Sequence, residues 1–151
     1  MFRPPPRTRF DLNFSLAGFA VQVHPLFWLM GVLFGASLGR LDRIAIWVAV
    51  LFFSILLHEF GHSLMMRRFG VDSYIVLYHL GGLAIPKSSR RSALTWLEQI
   101  SISLAGPFAG FFFAGLVAAG VKLAGGFVVI DFLFGFLPIP YAYLPSVGNL
   151  V

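Results

Sequence analysis

The residues best placed to do chemistry in this sequence are His58, Glu59 and His62, in the string His58-Glu59-Phe60-Gly61-His62. On a helix, histidines at i and i+4 lie about one turn apart on the same face, so both imidazoles can hold one zinc ion. Glu59, one residue along, can reach an attacking water without itself competing for the metal. That set of residue types at that spacing is the arrangement of a zinc-dependent peptidase. The same pattern also arises on exposed polar helix faces. Here that reading fails, because the only glutamates in the chain are Glu59 and Glu98, and Glu59 falls within the apolar run Ile44 to Phe69. An ionisable group inside an apolar span is expensive to hold and points to function.

The composition says what surrounds this motif. Of 151 residues, 58% are hydrophobic and 11% charged, and 18 are phenylalanine. So few charges cannot cover a water-soluble surface, which implies an integral membrane protein in contact with a lipid bilayer. The absence of cysteine excludes disulfides, thiolate metal ligands and a cysteine nucleophile. The formal charge of +5 comes from basic residues that flank apolar segments, without a polar recognition surface between them. It therefore speaks for membrane orientation and against nucleic-acid binding.

Around the motif, the elements follow from local pattern. The tail Met1 to Phe10, with Arg3, Arg7 and Arg9 about a triple proline, reads as extended and solvated. Apolar residues then alternate on both sides of Ala17-Gly18, a strand hairpin near residues 12–23. A basic start before an apolar run also fits a signal peptide cleaved near Ala36, although the apolar core comes late for one. His24-Pro25 opens a first span running to about Gly39. Its uninterrupted apolar part, about 14 residues or ~21 Å of helix, is short for a hydrocarbon core of ~30 Å. His24 reads as a helix cap or an interfacial residue, with metal contact as the alternative.

The second span, Ile44 to Met66, is long enough to cross at ~34 Å, and places a metal nearer its Arg67-Arg68 end. Gly70 is the expected C-cap, and Ser73 to about Ile85 reads as a strand near 73–85, interrupted at Gly81-Gly82 by a bulge or a close backbone approach. Lys87, Arg90 and Arg91 mark a loop, and a helix from about Ser92 leads into a third span, Ile100 to Lys122. Gly106, Gly110 and Gly115 give that span a small-residue face, and Pro107 is expected to kink it. Phe127 to Leu144, broken by Asp131, Pro138 and Pro140, reads as re-entrant, interfacial or the lead-in to a fourth span.

The expected architecture is thus an all-α polytopic membrane protein with at least three transmembrane helices and a small β element on the cytoplasmic side. It forms one membrane-embedded core over residues 1–151, without repeats. If the tail and the Arg67 to Arg91 loop share a side, that side holds Arg3, Arg7, Arg9, Arg67, Arg68, Lys87, Arg90 and Arg91, against Arg40, Arg43 and Lys122 on the other. The excess makes the first side cytoplasmic, in an inner (plasma) membrane, with the N-terminus and the 67–99 segment facing the cytoplasm. The hairpin and the strand near Ile75 then lie together and can pair into one sheet.

With these residues in hand, the chain resembles the site-2 protease family of intramembrane zinc metalloproteases. The resemblance covers VHPLFW at Val23 to Trp28, LLHEFGHSLMMRRFGV at Leu56 to Val71, HLGGLA at His79 to Ala84, and SLAGPFAGF at Ser103 to Phe111. It implies one zinc ion per chain held by His58 and His62, Glu59 as general base, and a third ligand from an aspartate in an LDG-type motif on a later span. It also implies that the substrate is a transmembrane segment of another protein. No LDG occurs here, and Asn149-Leu150-Val151 resembles the residues that run into it, so the chain is expected to stop short of that motif. Asp131 and His79 are the alternatives for a third ligand, with Asp131 expected at an interface. Gly110 stands where many relatives carry asparagine.

A transmembrane substrate must unwind before its backbone can be attacked. An edge strand such as Ile75 to Leu83, with Gly81, Gly82 and Leu83, is expected to hold the unwound peptide by strand addition. The competing readings are a catalytically inactive or truncated metal-binding scaffold, and a transporter. Four histidines and six acidic residues, mostly at span ends, are few for a transport pathway.

Overall fold

The computed structural model describes residues 8–79, 81–87, 94–133 and 137–143, with the backbone alone described for 127–133 and 137–143. The alternating residues at its start form two strands, β1 (Leu12–Leu16) and β2 (Phe19–Val23), paired antiparallel with Leu16 opposite Phe19. Their two-residue turn places both Ala17 (φ 48°) and Gly18 (φ 86°) in the left-handed region. This is the geometry whose twist matches that of paired strands.

At His24 the pattern switches to a helix. The His24 ring nitrogen Nδ1 accepts a hydrogen bond from the Leu26 backbone N–H at 3.1 Å, and Pro25 occupies the first helical position, where no N–H is needed. The helix so started, α1 (Pro25–Gly35), ends in a single 3₁₀ turn (Ala36–Leu38) and a left-handed Gly39. After a polar turn tied by an Arg40–Asp42 ion pair at 2.8 Å, the chain returns antiparallel along α2 (Leu41–Arg68). The two helices approach closely where α1 has glycine. Trp47 Nε1–H donates to the Gly31 carbonyl at 3.1 Å, and a side chain at Gly35 would meet the Trp47 ring at 2.6 Å.

The α1–α2 excursion brings β3 (Ser73–Tyr78) back alongside β2 in parallel, the pairing that requires a long crossover. β4 (Gly81–Pro86) then folds back antiparallel on β3, giving one sheet in the order β1-β2-β3-β4. Val21, Val23, Phe27, Leu56, Ile75 and Leu77 form the apolar core that joins this sheet to α1 and α2. A second clamp lies at the end of α2, where Arg67 donates to the Ala17 carbonyl at 2.8 Å and stacks over Phe19, whose ring meets Phe60 edge-on at 5.6 Å. The sheet is therefore fastened to the half of α2 that carries the histidines.

The exit from α2 is a Schellman motif: Gly70 N–H reaches Arg67 O at 3.0 Å and Val71 N–H reaches Met66 O at 2.9 Å, with Gly70 at φ 72°. An L-residue pays for that conformation in steric strain. Gly70→Ala is expected to cost about 1 kcal/mol, seen as a lower melting temperature in detergent. In the same assay Gly115→Ala, with nothing within 4 Å of an added Cβ, is expected to be neutral or stabilising. Equal melting temperatures for Gly70→Ala and the parent would contradict the cap.

α3 (Trp96–Leu123) starts from a capping box. Glu98 accepts from both the N–H and the hydroxyl of Thr95, at 2.7 and 2.8 Å, which explains the second of the two glutamates without invoking chemistry. The helix runs on through Pro107. The chain divides into two compact units, Met1–Gly110 and Phe111–Val151. Within the second, the backbone of β5 (Phe127–Leu133) and β6 (Leu137–Tyr143) forms an antiparallel hairpin with Asp131 opposite Ile139.

The expectation of an all-α protein with at least three spans is corrected by this fold. It is a mixed α/β structure in which, among the described residues, two helices, α2 and α3, are long and apolar enough to cross a membrane. α1 with its 3₁₀ turn is not, being fixed at one end by the His24 cap and Pro25 and at the other by Gly39. Phe127 to Leu144, read as re-entrant, interfacial or the lead-in to a fourth span, carries in its described backbone the two paired strands β5 and β6. α1 is helical, as its apolar run implies, but too short to cross, whereas antiparallel backbone pairing commits β5 and β6 to strands.

Candidate active site

α2 presents His58 and His62 on one face, with their Nε2 atoms 3.1 Å apart and their rings edge to face at 4.8 Å. A tetrahedral zinc with Zn–N bonds of about 2.0–2.1 Å needs its two nitrogens ~3.4 Å apart, so this pair fits one ion with a small adjustment. The second nitrogen of His62 decides its tautomer. Nδ1 lies 2.6 Å from the Ile102 carbonyl oxygen on α3. A carbonyl only accepts, so Nδ1 carries the proton and the Nε2 lone pair of the neutral ring is left for a metal. Among the described residues, no cluster of three or more histidine, aspartate or glutamate side chains is placed to hold an ion. The donor set therefore fits zinc as two imidazoles.

Glu59 lies on the sheet side of α2 and is 7% exposed. It is pressed against β4, where the Ala84 backbone N–H hydrogen-bonds the carboxylate. A Cβ added at Gly82 would overlap Glu59 Cγ and stand 2.9 Å from its Oε1. The glycine is thus what lets the carboxyl group reach this position. Among the described residues β4 is an edge strand, paired with β3 on one side. Beside it a cleft of about 350 Å³ opens, bounded by Glu59, His62, Met66, Leu83 and, from α3, Ile102 and Ser103. Pro107 has no N–H, so the carbonyl of Ser103, four residues earlier, lacks its helical donor at the cleft wall.

The structure thus brings Glu59, His58 and His62 to one level of α2, with Gly82 and Leu83 of β4 beside them. Gly81 is not part of the cleft; it opens β4 opposite Tyr78, with the nearest atom to an added Cβ 4.0 Å away. The segment from Ile75 to Leu83 is not one edge strand but two strands with a turn between them, and β3 is internal. His79 sits exposed in that turn, at φ 53°, packed on the Tyr78 ring at 3.8 Å. His24 is buried as the α1 cap, its ring on Tyr78 at 4.8 Å. The Asp131 side chain and Asn149-Leu150-Val151 lie outside what is described, as do Arg90 and Arg91.

Sequence reasoning missed the backbone groups: the Ala84 N–H, the Ile102 carbonyl, and the fit of Gly61 and Gly106 at the α2–α3 crossing. A Cβ at Gly61 would stand 2.5 Å from the Ala105 carbonyl oxygen. The signal for this crossing was the small-residue face of α3, read only as general helix packing.

Comparison with known proteins bears on this arrangement. The description "Peptidase family M50" matches residues 46–143. A curated zinc metalloprotease of Methanocaldococcus jannaschii is 31% identical over an alignment of 107 residues that covers 65% of this chain and 28% of that protein. The chain therefore spans little more than a quarter of the length of that relative. Among solved structures, a site-2 protease from Methanocaldococcus jannaschii matches with a TM-score of 0.57 at 23% identity, over 85% of this chain and 56% of that one. At that identity the likeness is one of fold.

Proposed function

The chain belongs to peptidase family M50, and on that premise we propose that its site is that of an intramembrane zinc metalloprotease, cleaving peptide bonds in or near transmembrane segments of other membrane proteins. The observation that carries this reading is the buried Glu59 carboxylate beside two converging imidazoles, on a helix long and apolar enough to cross a bilayer. Zinc would be held by His58 and His62, with a third ligand from outside the described residues. When bound, it supplies a Lewis acid that polarises the scissile carbonyl and eases ionisation of water.

The chain's own residues supply the rest. Glu59 takes the proton of the attacking water and passes it to the leaving amine, a role that needs a carboxylate held within hydrogen-bond reach of the cleft. The Ala84 N–H and the bare Gly82 backbone hold it there. β4 binds the unwound substrate along its free edge, next to Leu83, so that main-chain hydrogen bonds replace those the substrate helix has given up. The bilayer is the second partner, and basic residues at the Arg67-Arg68 end set that end toward the cytoplasm of an inner (plasma) membrane.

The direct test is the zinc content of the purified chain in detergent beside that of His58→Ala. About one zinc per chain is expected, lost on substitution because one imidazole cannot hold the ion. A chain that keeps its zinc without His58 would remove the two-histidine reading, whereas a chain that takes up none would mean that these residues do not supply the third ligand.

A further inference from the structure

α3 meets α2 at the level of the second histidine, where a glycine stands against the ring. A Cβ built at the buried Gly106 would overlap the His62 ring at Nε2 and stand 2.5 Å from Cε1 and 2.7 Å from Cδ2. One turn earlier on the same helix, the Ile102 carbonyl takes the proton on His62 Nδ1 at 2.6 Å. The ring cannot draw back to make room. Gly61, its neighbour on α2, is already where an added Cβ would stand 2.5 Å from the Ala105 carbonyl oxygen and 2.8 Å from the Ala109 methyl, so the two backbones are fixed close together. At Gly110, one turn further along α3, a Cβ would meet His58 Nδ1 at 3.9 Å, an ordinary contact.

We propose that Gly106 is a positioning residue for His62: its missing side chain lets the imidazole come up against α3 with Nδ1 on the Ile102 carbonyl, which fixes the tautomer and turns Nε2 toward His58. One turn of α3 thus provides both the floor under the ring and the acceptor behind it. Such partners behind a ligand set its orientation and basicity, and their loss characteristically costs about 10- to 100-fold in metal affinity. The proposal rests on reading His62 as a zinc ligand, but its geometry is a property of the metal-free ring and is tested there.

The experiment is nitrogen NMR of histidine-labelled chain in detergent after metal removal with EDTA, on the parent, Gly106→Ala and Gly110→Ala. In the parent and in Gly110→Ala, His62 is expected as the Nδ1–H tautomer with a slowly exchanging, hydrogen-bonded proton. In Gly106→Ala that signature is expected to give way to a mixed, fast-exchanging ring, and zinc affinity measured by chelator competition to fall by about 10- to 100-fold. Survival of the Nδ1–H signature in Gly106→Ala, or its loss in Gly110→Ala as well, would overturn the proposal, the latter because it would trace the effect to helix packing as a whole.

Should Gly106→Ala fold poorly, a double-mutant cycle with His62→Ala decides the same point through melting temperature. The loss caused by Gly106→Ala is expected to vanish once the ring is removed, since alanine is otherwise the better helix former. An equal loss in both backgrounds would assign Gly106 to the backbone crossing alone. Failure of zinc binding in the His58→Ala comparison would leave these ring signatures unchanged, so the two readings fail separately.

Discussion

Glu59→Gln is expected to lower peptide hydrolysis by the zinc-loaded protein by about 10²- to 10⁴-fold, the range that a positioned general base contributes, with zinc still bound. Glutamine matches glutamate in size and keeps a carbonyl oxygen for the Ala84 N–H, so the packing of α2 against β4 should survive. What it loses is the ability to take a proton. Glu59 itself does not need to bind the metal, because the two imidazoles converge without it. The check is turnover of a labelled transmembrane peptide in micelles, with zinc measured on the same sample. A zinc-loaded variant with parental turnover would rule out Glu59 as the base; loss of zinc together with activity would give it a structural role instead.

Gly82→Ala is expected to cost about 10²-fold in activity, the penalty for displacing a catalytic group by roughly 1 Å, at unchanged or slightly higher thermal stability. The physical conflict is local. The new methyl group would occupy the space of Glu59 Cγ, and the carboxyl group must swing away from the cleft to admit it. For the strand itself the exchange is favourable, because alanine gives up less backbone freedom than glycine on folding, by about 0.5–1 kcal/mol. Activity and stability therefore move in opposite directions. The neighbouring Gly81→Ala, whose Cβ would find its nearest atom at 4.0 Å, should leave turnover near the parental value. Similar losses from both substitutions would mean that β4 tolerates no side chain on general grounds, and that Gly82 has no particular relation to Glu59.

The difference between these two glycines measures how far the sequence could be read. The pair Gly81-Gly82 signalled a bulge or a close backbone approach, and an edge strand over Ile75 to Leu83, with Gly81, Gly82 and Leu83, was expected to hold the substrate. Neither said which glycine faces Glu59, because strand faces alternate every residue and the phase is set by the register of β4 on β3. The same holds for the sheet. Pairing of the hairpin near Ala17 with the strand near Ile75 was expected, and occurs as the parallel β2–β3 ladder. That β3 lies inside and β4 at the edge follows only from the pairing itself.

What the sequence by itself determined is what depends on neighbours within about one turn or one hairpin: the face of α2 shared by His58 and His62, the caps at His24 and Gly70, the two-residue turn at Ala17-Gly18, and the two long apolar helices. Helical phase and turn chemistry are short-range properties, written in consecutive side chains. The tertiary structure decided the rest: a mixed α/β fold in place of an all-α one, Glu59 seated on Gly82, and His62 held by an α3 carbonyl 40 residues away. Those features rest on backbone groups and on missing side chains, which look alike in every sequence until packing brings two distant segments together.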